Sequence, residues 1–298
     1  MGRKRYDYAG MLYITPWIIG FLVFTLYPFV ASFILSFTKY DILNPPKFIG
    51  LKNYIKMFTR DKDFINSLTV TLKYVVMTVP LKLVFALLIA FVLNFDLRGI
   101  NFFRTAYYIP SILGGNVAVA VLWRFLFSAS GGFINQFITL FGVEPVNWFD
   151  TPGPALFTLT ILRIWQFGSA MVIFLAALKD VPQDLYDAAA VDGANKFTVF
   201  RKVTIPLLTP VIFFNFVMQL IQAFQEFNAP YLITGGGPLK ATYLLPVYIY
   251  DQSFQYYNMG YGSALSWVLF VIIMIFTLLI FKSSAYWVFY SDVAEGGK

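Results

Sequence analysis

Every residue from Met11 to Phe37 is uncharged, and few are polar. As a helix rising 1.5 Å per residue, the stretch extends about 40 Å, more than the roughly 30 Å hydrocarbon core of a bilayer. It follows Arg3, Lys4 and Arg5. A secretory leader shares that basic start, but its apolar region usually runs only about 7 to 15 residues before a small-residue cleavage site, so the sequence predicts a retained first helix. Five further stretches qualify: Thr69 to Phe95, Thr105 to Phe127, Pro154 to Leu178, Thr204 to Asn228 and Gly262 to Phe281. The expected fold is therefore an all-α polytopic membrane protein with six transmembrane helices. Residues 1–9 are expected as a cytosolic amino-terminal segment, 10–285 as the six-helix transmembrane domain with a cytosolic loop at 179–206, and 286–298 as a cytosolic tail.

Composition excludes other classes. Of 298 residues, 59% are hydrophobic and 12% charged, whereas soluble domains carry about 25% charged residues. The chain has no Cys and no His, which removes disulfides, thiolate nucleophiles, the commonest transition-metal ligand and the near-neutral base. Isolated acids form no nucleophile–base or metal cluster, so no catalytic or metal site is expected. The net charge of +7 is too dilute for nucleic-acid binding.

With the amino terminus inside, Arg3, Lys4, Arg5, Arg98, Arg104, Lys179, Lys196, Arg201, Lys202, Lys282 and Lys298 are cytosolic, so both termini are expected there. The opposite side is less basic, although Lys39, Lys47, Lys52, Lys56, Arg60 and Lys62 crowd its first loop. That loop contains FIGLKNYIKMF, which reads as a short interfacial helix or as an ordinary amphipathic loop. The second outside loop, with its glycines, Pro145 and Trp148, predicts a turn followed by a short surface helix.

Polar residues inside apolar helices need partners or water. At 100° per residue, Asn215, Gln219, Gln222 and Glu226 fall within an arc of about 60° on the fifth span, with Gln225 off it. This stripe fits either a polar solute route or adhesion between helices. Arg124, Arg163 and Glu226 are expected at similar depth, as a charge network, as substrate contacts or as snorkelling groups. Lys73 and Lys82 are expected to snorkel or to face a partner protein.

The loop KDVPQDLYDAAAVDGANKFTVFRKVTIPLLTP is more specific in its order than in its composition. Pro182 starts a short helix with Asp184 in its first turn, and Leu185, Ala188 and Ala189 give it a packing side. Asp192 bonds locally, Gly193 turns the chain, and Pro206 marks entry into the next span. Asp187-Ala188-Ala189, then Gly193, then Val203-Thr204-Ile205-Pro206, resembles the Glu-Ala-Ala-x3-Gly-x9-Ile-x-Leu-Pro coupling motif of permeases from ATP-driven, binding-protein-dependent importers. Asp187 stands where Glu is usual, Val203 where Ile is, and Ile205 where Leu is.

TGGGPLKATYLLPVYIYDQSF followed by MGYGSALSWVLFVII resembles the last outside loop and sixth helix of the maltose-type and glycerol-phosphate-type permeases. Gly235 to Gly237 lack the phosphate-loop arrangement GxxxxGK[ST]. The resemblance implies a type I ABC importer permease fold and a coupling role for Leu185, Asp187, Ala188, Ala189, Asp192, Gly193 and Pro206. It also implies a homologous second permease, two ATP-binding subunits carrying ATP and Mg2+, and an extracytoplasmic solute-binding protein. The location implied is a bacterial or archaeal cell membrane, and the cargo a sugar, preferably an oligosaccharide, with glycerol phosphate or another polyol phosphate as the alternative. An ion-coupled secondary carrier is the reading from another class.

Overall fold

The computed structural model describes residues 8–95 and 98–289. In chain order the elements are α1 (Tyr8–Phe21), α2 (Tyr27–Ser36), β1 (Thr38–Lys39), β2 (Lys47–Phe48), α3 (Lys52–Thr59), α4 (Lys62–Leu93), α5 (Ile100–Leu113), α6 (Val117–Leu126), α7 (Phe133–Thr139), α8 (Pro152–Trp165), α9 (Gly168–Lys179), α10 (Gln183–Val191), α11 (Lys196–Val199), α12 (Ile205–Phe224), α13 (Leu245–Tyr250) and α14 (Met259–Ser284). The only sheet among the described residues is the two-residue antiparallel ladder, with Thr38 opposite Phe48 and Lys39 opposite Lys47. The segments 1–9 and 286–298, expected to be cytosolic, lie mostly outside the described residues.

Among the described residues, four continuous helical stretches are long and apolar enough to cross a membrane: Leu12–Ser36, Lys62–Leu93, Lys196–Phe224 and Met259–Ser284. The expected third and fourth spans are bent pairs, α5 with α6 at 103° and α8 with α9 at 41°. Four of the six expected spans are thus continuous helices, and the other two fall on bent helix pairs, which gives four to six crossings. The second begins at Lys62 rather than Thr69. The fifth begins at Lys196 rather than Thr204, because helices keep their pattern through polar ends that a hydropathy criterion trims, and it stops at Phe224 rather than Asn228, with Gln225 as its cap.

Two spans carry a π turn just before a proline. Leu22–Leu26 precedes Pro28, and Phe200–Thr204 precedes Pro206. Proline lacks an N–H and crowds the carbonyl four residues back, and a wider i→i+5 turn relieves both problems without ending the helix.

Residues 8–62 and 249–270 form one compact unit. Asn53 is 8% exposed and donates its amide to the carbonyls of Ser36 (2.8 Å) and Thr38 (2.9 Å), while the Tyr54 hydroxyl donates to Ser36 Oγ at 2.8 Å. Gly260 fits against the Thr38 carbonyl where no Cβ has room, and its N–H bonds Tyr40 O at 3.1 Å. Trp267 meets Phe29 in a tilted contact and Phe33 edge-to-face, with both ring centroids at 4.7 Å, and donates to Ser32 Oγ.

The second unit comprises 63–248 and 271–289 of the described residues. Four of its buried hydroxyls return to their own helices: Thr71 to Ser67 O, Thr78 to Tyr74 O, Thr158 to Pro154 O and Thr160 to Leu156 O. These four are thereby satisfied without water. The two helix breaks satisfy one another. Gln166 donates to Gly114 O at 2.9 Å, and Ser111 donates to Gln166 O at 3.1 Å while accepting from Ser169 N at 3.0 Å. Broken helices persist at membrane depth when their freed backbone groups find such partners. Asn135, 4% exposed, organises the following loop by bonding Val146 through N–H and C=O and accepting from Trp148 Nε1 at 2.8 Å.

Candidate functional site

The segment from Lys179 to Pro206 is built as a protruding helix with a defined stop. Pro182 precedes α10, and Asp184 lies in its first turn, where a carboxylate favours the helix dipole. At the other end Gly193 has φ +73°, its N–H bonds Ala190 O at 3.0 Å, and Ala194 N bonds Ala189 O at 3.0 Å. This pair of bonds is a Schellman stop, with glycine where the left-handed conformation is required. Asp192 is the residue just before it. Asn195 then caps α11, accepting from Thr198 N at 2.8 Å. Sequence reading passed over that cap, although Asn ahead of an apolar run is an ordinary start signal.

The packing side expected on α10 is mostly not covered by its own chain. Leu185 is 41% exposed and Ala188 is also exposed, with only Ala189 half-buried. The inward side is Tyr186, whose hydroxyl lies 3.3 Å from Thr204 Oγ1, together with Ala190. Tyr186 takes this side because its hydroxyl finds a partner that Leu185 has no use for. Beneath it is a cavity of about 340 Å³ walled by Phe91, Leu178, Tyr186, Phe200 and Thr204. Asp187 is exposed and accepts from Gln183 Nε2 at 3.1 Å. Pro206 does not open the return span. It lies inside a helix already running from Lys196, directly after the π turn.

At the other end of α12 the polar stripe divides. Asn215 and Gln219 are 1% and 4% exposed, whereas Gln222 is exposed. The buried arc runs from Asn215 round to Val217, and Gln222 falls about 20° outside it. Glu226 is not on the helical stripe at all, since α12 ends at Phe224 and Gln225 caps it. Arg163 of α8 gathers these groups: Nη1 meets Glu226 Oε2 at 3.3 Å and Nη2 donates to Gln222 Oε1 at 3.0 Å. Glu226 Oε1 also accepts from Ala229 N at 3.2 Å. The ion pair is sheltered, with side chains 12% and 14% exposed. Asn215 donates to Val211 O, and Gln219 Oε1 is buried without a hydrogen bond.

Arg124 lies exposed on α6 and takes no part in this contact. Lys82 corrects another expectation. It is 3% exposed on α4, so it does not snorkel, while Lys73 is exposed. The triple glycine shapes a loop: Gly235 at φ +59° ends a π turn, and Gly236 at φ +83° lies against the Tyr243 ring. That loop reaches α4 through Lys240 to Asp63 at 2.6 Å and Leu245 N to Thr71 Oγ1 at 2.8 Å. Among the described residues no group of three or more His, Cys, Asp or Glu side chains is placed to hold a metal ion.

Residues 57–289 match the family model for the binding-protein-dependent transport system inner membrane component. A probable ABC transporter permease protein of Bacillus subtilis (strain 168), YesP, is 48% identical over 98% of this chain and 95% of its own length. The trehalose/maltose transport system permease protein MalF of Thermococcus litoralis is 34% identical over 94% of this chain and 95% of its own. A crystal structure of a bacterial ABC transporter involved in the import of the acidic polysaccharide alginate has the same fold, with a TM-score of 0.82 at 21% identity, covering 94% of this chain and 96% of that one.

Proposed function

The chain belongs to the family of inner membrane components of binding-protein-dependent transport systems, and from that premise we propose that its cargo is a sugar, preferably an oligosaccharide. It is a multi-pass permease subunit of a binding-protein-dependent importer. In the proposed assembly it pairs with a homologous permease and two ATP-binding subunits, receives solute from an extracytoplasmic binding protein, and keeps both termini cytosolic. ATP and Mg2+ act on the partner subunits, and this chain contributes no group to hydrolysis.

The observation that carries the reading is the exposed end of α10. Leu185, Asp187 and Ala188 are turned away from their own chain, and Gly193 stops the helix sharply after them. A short helix that leaves apolar and acidic groups uncovered is suited to a cleft on another subunit. Movement of the ATPase subunits then acts on α10 and, through the continuous helix from Lys196 to Phe224, on the far end of the span, where Gln222, Glu226 and Arg163 form the proposed polar route. This is coupling between sites through a two-state element rather than catalysis in this chain. The sugar assignment rests on relatives named for trehalose/maltose, arabinooligosaccharide and lactose transport.

The test is reconstitution with both permeases, the ATPases and the binding protein. ATP-dependent uptake of a neutral oligosaccharide is expected. Uptake limited to phosphorylated polyols would reject the sugar, and gradient-driven uptake without ATPases would reject the importer assembly.

A further inference from the structure

A groove of about 550 Å³ opens on the unit made by residues 8–62 and 249–270, between the β1–β2 hairpin, α3 and the start of α14. Its depth follows from its place in the chain. The hairpin and α3 join the end of the first span at Ser36 to the start of the second at Lys62, and Tyr261 on its wall lies in the first turn of α14. The groove therefore sits at a membrane surface.

Lys39, Lys52, Lys56 and Arg60 line it, against one lining carboxylate, Asp41. Asn44 occupies that carboxylate, donating from its backbone at 2.9 Å and from its amide at 2.9 and 3.2 Å. These bonds hold the Asp41 carboxyl below its usual range. Asp61 accepts the Tyr261 hydroxyl, and Lys56 Nζ stands 4.3 Å over the Tyr261 ring. None of the four cations has an ion-pair partner among the described residues.

The helix α3 has three sides. Asn53 and Met57 are buried inward. At 100° per residue Lys52, Lys56 and Thr59 share one edge, and Ile55 and Phe58 the adjoining one. Those two apolar side chains are 59% and 58% exposed. Cations on one edge and largely exposed apolar groups on the next match the boundary between lipid phosphates and acyl chains. A soluble anion would use the cations and leave Ile55 and Phe58 in water.

We propose that this groove holds the headgroup of an anionic phospholipid, with Lys52, Lys56 and Arg60 on its phosphate and Ile55 and Phe58 along its acyl chains. The lipid then braces α3, which through Asn53 fixes the end of the first span at Ser36.

The experiment places the full chain, in its importer complex, in nanodiscs of phosphatidylcholine with and without phosphatidylglycerol, and reads the lipids retained after delipidation by native mass spectrometry. Phosphatidylglycerol should be kept over phosphatidylcholine. The variant Lys52→Gln/Lys56→Gln/Arg60→Gln should lose that selectivity by on the order of tenfold or more, since each surface cation contributes about 1 kcal/mol toward anionic lipid. Lys52→Arg/Lys56→Arg, which folds with the same charge, should retain it. Unchanged selectivity in the glutamine variant overturns the proposal. So does displacement of the lipid by equimolar inorganic phosphate, which marks a soluble-anion site, or a glutamine variant that keeps the lipid and loses only the binding protein. Lipid selectivity is read independently of sugar uptake, so failure of either assignment leaves the other standing.

Discussion

At Gly193 a side chain would meet nothing within 4 Å, yet φ is +73°. Substitution there is opposed by backbone conformation alone, at roughly 1–2 kcal/mol for an ordinary L residue. The expected order of damage is Asn least, Ala more and the β-branched Val most, because Asn tolerates the left-handed region and Val does not. Uptake and substrate-stimulated ATPase activity at equal membrane abundance would follow that order, and equal activity across the series would remove α10's stop from the coupling step. The Arg163–Glu226 pair obeys a different logic. Both groups are sheltered, so Arg163→Met strands a carboxylate and Glu226→Gln leaves the guanidinium facing amide groups with no counter-charge in this contact. Losing one member of such a pair costs more than losing both. Thermal unfolding in detergent should therefore show a coupling of about 1–3 kcal/mol between the two substitutions, and strict additivity would reduce the contact to a coincidence of position.

Among elements, the junction of the two broken spans is the place to probe packing. A Cβ on Gly168 would lie 2.6 Å from Tyr107 O and 2.8 Å from Tyr108 Cα, backbone atoms of α5 with no freedom to swing aside. Gly168→Ala should force α5 and α9 apart and lower the melting temperature. Gly20→Ala, where a Cβ meets open space, should be neutral or slightly stabilising. Gln166→Leu should cost about 1–3 kcal/mol by leaving Gly114 O unpaired, and comparable melting for all three variants would refute this lock. The lock also marks how far the sequence can be read. Runs of apolar residues mark six candidate spans because length and hydropathy are local properties. The bond from Gln166 to Gly114 joins residues far apart in sequence, and no local period announces it. Likewise the period of α10 tells which residues share a face, but Tyr186 and not Leu185 turns inward because Thr204, on another turn of chain, offers the hydroxyl a partner. The stripe on α12 failed at Glu226 for a simpler reason: the helical angle was carried past the point where the helix ends.

For the molecule as a whole, the first span lies outside the residues that the family model matches. The family match covers 57–289, and the most apolar window within Leu12–Ser36 has none of its residues buried in this chain. Trp17, Phe24 and Tyr27 are 69%, 81% and 72% exposed. In lipid such exposure carries no penalty, because acyl chains are as apolar as leucine, and association has to come from packing or hydrogen bonds. Those contacts lie in the last turns of the span, where Phe29, Ser32 and Phe33 meet Trp267 and Ser36 receives Asn53 and Tyr54. Replacing residues 12–28 by leucines keeps a span and leaves these contacts, so stability in detergent should change by less than about 1 kcal/mol. Extending the replacement through Ser36 removes two aromatic contacts at about 0.5–1.5 kcal/mol each and the hydroxyl that receives Tyr54. The loss should then reach several kcal/mol. Scanning calorimetry of the two replacements separates the cases: if the shorter one already costs as much as the longer, the amino-terminal part of the first span is packed by this chain after all, and the contacts at Trp267 are not what fixes it.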